Sequence, residues 1–237
     1  MTVSRWRFGH GWSDAELRDY LRELLDASPN FDELPERMVP EYGWTVDGDD
    51  APIGYEPAGP PLPDGLFTRA KQSLTNYDFS DPRIVVGHYD PRAPIADRDM
   101  LLEIKVLGFR FLNGVRVHTV RDEGDDHRTS FGFRYDTLEG HIEQGFEWFL
   151  LSKNHATGEV RFRIQAHWRL GNFPSWWSRV GFLLLGGRYR QQWRRRAVGR
   201  LRRLARQPVE GALAGAGEIA HRGDATPRRR EGEEHQP

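Results

Sequence analysis

Apolar and polar positions recur along this chain with two different periods, and the change of period divides it. From Ser13 to Ala27 the spacing is helical: Leu17, Leu21 and Leu24 stand at i, i+4 and i+7, with charged residues on the other side. Ser13 and Glu16 have the separation of a capping box, in which each side chain satisfies a free amide at the helix start. Pro29 ends the pattern, because the residue before a proline avoids helical geometry. From Arg83 the period is two. Ile84 to Val86, Met100 to Val106, and Gly114 to Val120 read as strands. A fourth strand carries Phe131, Phe133 and Tyr135 on one face, and a fifth carries Phe146, Trp148 and Leu150. In the sixth, Val160, Phe162, Ile164, Ala166 and Trp168 alternate with Arg161, Arg163, Gln165 and His167. The last two are joined by Lys153-Asn-His-Ala-Thr-Gly158, turn chemistry that predicts a hairpin. Short links between successive strands predict an antiparallel meander.

Between the first helix and the strands, residues 29–63 hold eight of the fifteen prolines. Proline lacks an amide donor, so most of this segment is expected to be irregular. Pro60 and Pro63 have the spacing of a ligand for an aromatic-groove domain, but a stiff connector over the core is the plainer reading. A short helix is expected over Leu66 to Leu74. After Gly171-Asn-Phe-Pro-Ser175 the helical period returns: Phe182, Tyr189, Trp193, Ala197, Leu201 and Leu204 share a face, and Pro208 stops the helix. The tail beyond is rich in Gly, Ala, Glu and Arg without periodicity and reads as disordered, with Arg222-Gly223-Asp224 taken as a chance adhesion tripeptide.

The expected division is 1–28 helical, 29–65 irregular, 66–206 an α+β core, and 207–237 a disordered tail. A sheet needs a cover, and the C-terminal helix has the length and the apolar stripe to supply it. The fold class is therefore α+β: a curved antiparallel sheet of about six strands packed on a long C-terminal helix, a helix-grip-like arrangement.

Composition narrows function more by exclusion than by assignment. With 38% hydrophobic and 29% charged residues the chain of 237 is globular. No cysteine is present, which excludes disulfides, thiolate nucleophiles and zinc–thiolate sites. The uncharged apolar run Val180 to Gly187 is far shorter than the roughly 20 residues of a membrane span, and the N-terminus lacks an apolar signal core, so a cytoplasmic location is expected. Nine Arg and no acid lie between Arg188 and Arg206, on a chain whose formal net charge is −1. That helix reads as a solvated Arg face, paired in part with the acidic remainder. Peripheral membrane contact through Trp176 to Arg206 stays open as an alternative, and nucleic acid is not expected, since no base-reading element accompanies the charge.

The densest polar cluster is Tyr135-Asp-Thr-Leu-Glu-Gly-His-Ile-Glu-Gln-Gly145. His141 has the chemistry of an acid or base near neutral pH, with Glu143 or Asp136 to orient its ring; a hydrogen-bonded turn explains the same residues. His141, Glu143 and Glu147, with His118, His127 or His167, have no paired-His spacing, so no metal site is expected, and no nucleotide-binding or serine-hydrolase motif occurs. No cofactor is expected. Trp148, Trp168, Trp176, Trp177 and Trp193 crowd the second half, as core fillers or as the walls of an apolar pocket.

This run resembles the Tyr-x-Thr-Leu-x-Gly-His-x-Glu-x-Gly signature of the DUF1990 family, and the likeness extends from Trp12 through Gly114-Val115-Arg116-Val117 and Thr157-Gly158-Glu159-Val160 to about Leu204. The resemblance implies kinship with the START and birch-allergen-like superfamily. Its members fold a curved sheet around a long C-terminal helix and often hold hydrophobic ligands. It assigns no catalytic residue. The resulting expectation is a domain that binds a small hydrophobic or amphipathic ligand between sheet and helix. Tyr135, Thr137, His141 and Glu143 would hold its polar end, and Trp148, Trp168 and Trp193 its apolar part. An enzyme using His141 and Glu143 as an acid–base pair is the alternative.

Overall fold

The computed structural model describes residues 5–171, 176–207 and 220–222; within these, the side chains of 176–186 and 220–222 are left out of the description. The elements run β1 (Arg5–Phe8), α1 (Asp14–Leu24), β2 (Thr45–Tyr55), α2 (Leu66–Thr75), β3 (Val85–Tyr89), β4 (Asp99–Val106), β5 (Phe109–Gly124), β6 (Arg128–Thr137), β7 (Glu143–Asn154), β8 (Glu159–Leu170), α3 (Trp176–Arg206) and β9 (Ala220–Arg222). They form one open antiparallel sheet in the order β2-β8-β7-β6-β5-β4-β3-β9, with β1 pairing the first half of β5. The α+β class, the meander and the covering helix are as the alternation predicts, but among the described residues the sheet has nine strands rather than about six.

The extra width comes from segments without a strand signal. Thr45–Tyr55, inside the proline-rich stretch expected to be irregular, pairs along almost all of β8. It tolerates Pro52 because it is an edge strand. The Pro52 carbonyl points away from the ladder and accepts two hydrogen bonds from Arg202 (2.9 and 2.7 Å). The tail contributes β9 against β3, so the expectation of disorder fails over those three residues; the rest of the tail lies outside the described residues.

Side-chain parity decides which face each strand presents. Val115, Val117, Phe131, Phe133, Tyr135, Phe149, Leu151, Val160, Phe162 and Ile164 form the buried face toward α2 and α3. In β7 this is the odd-numbered set, Glu147, Phe149 and Leu151, whereas Phe146 and Trp148 lie on the opposite face with Met38 and Trp44. Two faces of β7 are thus apolar, and the aromatic one is not the face under the helix. The opposite face is covered by α1, whose Leu17 and Leu24 pack on Leu101, Leu112 and Leu138, and whose Ser13–Glu16 capping box is formed. Helix α3 seals the first face with Trp193, Ala197, Val198, Leu201 and Ala205. Burying five such side chains contributes on the order of 1–3 kcal/mol for each large one.

One buried ion pair ties the proline-rich connector to the sheet. The Lys153 ammonium at the β7–β8 turn donates to Glu56 Oε2 (2.6 Å) and to the Pro60 carbonyl (3.0 Å), while Glu56 Oε1 accepts from the Phe67 amide at the start of α2 (2.7 Å). Both side chains are almost wholly buried (0% and 3% exposed), so neither charge can fall back on water. We expect Lys153→Met to lose about 3–5 kcal/mol in a urea denaturation series, because it leaves the Glu56 carboxylate without a counter-charge. Arg22→Ala, which breaks only the exposed Arg22–Asp19 pair, is expected to stay within about 0.5 kcal/mol.

Candidate ligand cavity and its polar end

Between α3 and the sheet lies a cavity of about 290 Å³. Its apolar wall comes from β3, β4 and β5 (Val85, Leu102, Ile104, Phe109, Phe111), from Ala166 and Trp168 of β8, and from Trp193 of α3. Its polar end is built on β6 and β7. Tyr135 and Glu147 are direct cross-strand partners, and the Tyr135 hydroxyl donates to Glu147 Oε2 at 2.6 Å. Two residues back along β7, Gly145 has φ +136°, and a Cβ there would stand 1.9 Å from the His167 carbonyl oxygen; only glycine fits. Thr137 fixes this point by accepting from the Gly145 amide (2.9 Å) and donating to Asn30 Oδ1 (2.6 Å).

A row of alternating charges closes the polar end. Glu143 is bonded to Arg190, which lies 4.0 Å from Asp47; Asp47 accepts from Arg194 at 2.6 Å, and Arg194 stands 3.8 Å from Glu147 Oε1. Arg190 and Arg194 are one helical turn apart on α3, so a single helix face supplies both cations. The Arg190 guanidinium also stacks on the Trp168 ring at 3.8 Å. Burial, opposed by the arginines, holds the carboxyls of both Glu143 and Glu147 above their ordinary range. Burial, helped by the Glu147 charge, pushes the Tyr135 hydroxyl well above its usual value.

His141 lines the same end and is 4% exposed. Its Nδ1 accepts from the Glu143 amide at 2.9 Å, so the neutral ring carries its proton on Nε2. Burial, with the nearby Arg190 charge, lowers its pKa to about 3. The side-chain pair expected for an acid–base dyad is therefore not formed: Glu143 meets His141 through its backbone, and its carboxylate is engaged by Arg190.

Of the residues expected to gather here, Tyr135, Thr137, His141, Glu143, Trp168 and Trp193 all line the cavity. Trp148 does not; it sits on the opposite face, with the Arg121 guanidinium 4.5 Å from its ring. The aromatic of that sheet pair pointing inward is Phe149, one residue on. The other histidines are dispersed. His167 stacks on Phe146 and binds the Met38 carbonyl, His118 is 3.8 Å from Asp136, and among the described residues no group is arranged to hold a metal. Trp176 and Trp177, on which membrane contact was to rest, lie outside the described side chains, and no described helix is long and apolar enough to cross a membrane.

Sequence reasoning missed Tyr77, Asp47, Arg190 and Arg194. Tyr77 follows α2, which ends in a Schellman motif: the Asp78 amide bonds to the Ser73 carbonyl (2.9 Å) and the Tyr77 amide to Leu74 (3.0 Å). The motif puts Tyr77 at φ +60°, a place where glycine is usual and a side chain costs roughly 1 kcal/mol. Its ring packs on Phe79 and lies against Gly87, where a Cβ would come within 2.7 Å of it. Its hydroxyl reaches the Tyr135 and Glu147 pair but makes no hydrogen bond of proper geometry.

Comparison with known proteins adds the family. No curated protein matches the chain. Among solved structures it is similar to Ara h 8.0201 (11% identity over 67% of this chain and 98% of that one, TM-score 0.38). It is also similar to the hypothetical protein jhp0584 from Helicobacter pylori (15% identity, 73% and 96% covered, TM-score 0.41). A putative uncharacterized protein from Rhizobium leguminosarum is a third (13% identity, 68% and 97% covered, TM-score 0.34). The profile of a family described as a domain of unknown function, DUF1990, matches residues 32–201, which hold every strand from β2 to β8 and the whole polar end of the cavity. The chain belongs to the DUF1990 family.

Proposed function

We propose that the domain binds a small amphipathic molecule in the cavity between α3 and the sheet, with the polar group toward Tyr135, Glu147 and His141. One observation carries this reading: an apolar space of about 290 Å³ ends on polar groups, and among the described residues that line it the Tyr77 hydroxyl and the Trp168 indole N–H are buried without a hydrogen-bond partner. Pockets for small molecules combine a mostly apolar wall with a few placed polar groups, and a space left only by imperfect packing has no reason to carry them. The energetic contrast is large. An unfilled core cavity costs about 24 cal/mol for each Å³, and a buried hydroxyl without a partner about 1–3 kcal/mol more.

The same geometry favours binding over acid–base chemistry. A histidine whose Nδ1 is held by a backbone amide, and whose pKa lies near 3, is neutral at physiological pH and offers a fixed N–H donor. Trp168 and Trp193 flank the space, so occupancy changes the surroundings of two indoles.

Filling the cavity tests the reading. Ala166→Phe places a ring where the ligand would lie. It is expected to abolish the fluorescence rise of N-phenyl-1-naphthylamine, a neutral apolar probe, while the near-ultraviolet dichroism of the fold persists. Unchanged probe binding by a folded variant would mean that the probe sits elsewhere.

A pH titration tests the state of His141. Its folded pKa of about 3 lies below the 6.5 of an unperturbed histidine, so the unfolded chain takes up a proton first as pH falls. The stability due to the buried neutral ring is present above pH 6.5 and lost progressively between 6.5 and about 3. His141→Asn, which keeps an acceptor for the Glu143 amide, is expected to flatten that slope in urea midpoints measured across the window. Identical slopes for both proteins would show that His141 does not stay neutral.

A further inference from the structure

We propose that the molecule held in the cavity carries a cationic amine, received by Glu147 Oε1 and the Tyr77 hydroxyl. This rests on the cavity reading above and adds the charge of the guest. The first argument is a charge count. The row at the polar end contains three carboxylates, Asp47, Glu143 and Glu147, and two guanidiniums, Arg190 and Arg194. No other described cation is paired with it, so the row is one positive charge short.

The second argument locates the shortfall. Arg190 is committed to Glu143 and to the face of Trp168, and Arg194 donates to Asp47 on the solvent side. Glu147 is left at the inner end. Its Oε2 accepts from Tyr135, and among the described residues the cation paired with its Oε1 is Arg194 at 3.8 Å, beyond hydrogen-bond reach. A buried carboxylate whose counter-charge stands beyond hydrogen-bond reach is a costly arrangement unless something else supplies a donor.

The third argument is independent of charge and comes from Tyr77. Its hydroxyl is buried, without a hydrogen bond, at the cavity wall, on a residue 1% exposed. Phenylalanine would pack equally against Phe79 and Phe149 without the orphan group, and glycine would suit the left-handed backbone better. What tyrosine adds is an oxygen beside the Tyr135–Glu147 pair. An ammonium is donor-only, and it meets here one charged acceptor and one neutral one, with aromatic rings around them.

An anion is the wrong guest on the same grounds. Both arginines already have carboxylate partners, although the Arg194 Nε and the Trp168 indole N–H are buried without one, and a second negative group would meet Glu147. A neutral head would fill the space but leave the charge to be balanced by a proton shared between Glu143 and Glu147. Burial already biases both toward the protonated form. Binding of the amine would displace that proton.

The experiment uses the full chain and three probes with the same tail: octylamine, octanol and octanoate, each displacing N-phenyl-1-naphthylamine near neutral pH. Octylamine is expected to bind at least about tenfold more tightly than octanol, with octanoate weakest, a tenfold difference being about 1.4 kcal/mol. Glu147→Gln keeps an acceptor for Tyr135 and is expected to bring amine and alcohol to near parity. Tyr77→Phe is expected to be at least as stable as the parent and to lose several-fold more affinity for octylamine than for octanol. Calorimetry in buffers of different ionisation enthalpy should register proton release for the amine only. Octanol binding as well as octylamine would overturn the cationic assignment and leave the cavity reading intact. Tightest binding by octanoate would overturn it in favour of the arginines. Failure of the naphthylamine probe to bind at all would remove the cavity reading and this inference with it.

Discussion

The placement of α3 on the sheet depends on one electrostatic constraint: charges taken out of water must meet their opposites. Toward its C-terminal end the helix is held by apolar contact, with Trp193, Ala197, Leu201 and Ala205 against Phe149, Phe162 and Ile164. From Arg190 to Arg194 a second chemistry joins it, and these two arginines reach Glu143 on β7 and Asp47 on β2. Apolar packing is indifferent to small slides along a surface; paired charges are not, because a displaced guanidinium strands a carboxylate. The ion row therefore sets how far the helix stands from β7 and β8. The cavity is the space that this spacing leaves next to the apolar seal.

Around that space the chain departs from ordinary local preferences. A tyrosine takes the left-handed position after α2, a glycine at φ +136° lets β7 and β8 come together, and Gly87 leaves room for a ring. Two turns elsewhere follow the rules: α1 has its capping box, and the β7–β8 turn has Gly158 at φ +72° with Asn154 bracing the Thr157 amide. Such local conflicts are tolerated where something other than stability shapes the residue choice.

The strands with strong alternation, the two clear helical periods and their order were legible in the sequence, because periodicity follows directly from having one buried face. Beyond the alternation, three things were hidden. Strand β2 is polar and proline-bearing, and it is a strand only because β8 offers it an edge; no local signal marks it. The orientation of β7 was ambiguous because both faces are apolar, and so Trp148 was placed inside when Phe149 is. The cluster from Tyr135 to Gly145 was legible as the densest polar run, which a hydrogen-bonded turn also explains. Its partners were not, because Tyr77, Asp47 and the α3 arginines come from distant segments. The Arg-rich face had been read as partly paired with acidic surface, and the ion row shows where that pairing occurs.

The free margin of β2 shows how the outermost strand of an open sheet is kept from recruiting another chain. At Pro52 there is no amide to offer, and the outward carbonyl is already taken by Arg202. A foreign strand laid along that margin would lose its central pair of backbone bonds and would have to displace a guanidinium. Growth of the sheet from molecule to molecule is therefore blocked at this border by covalent chemistry on one side and a charged clasp on the other.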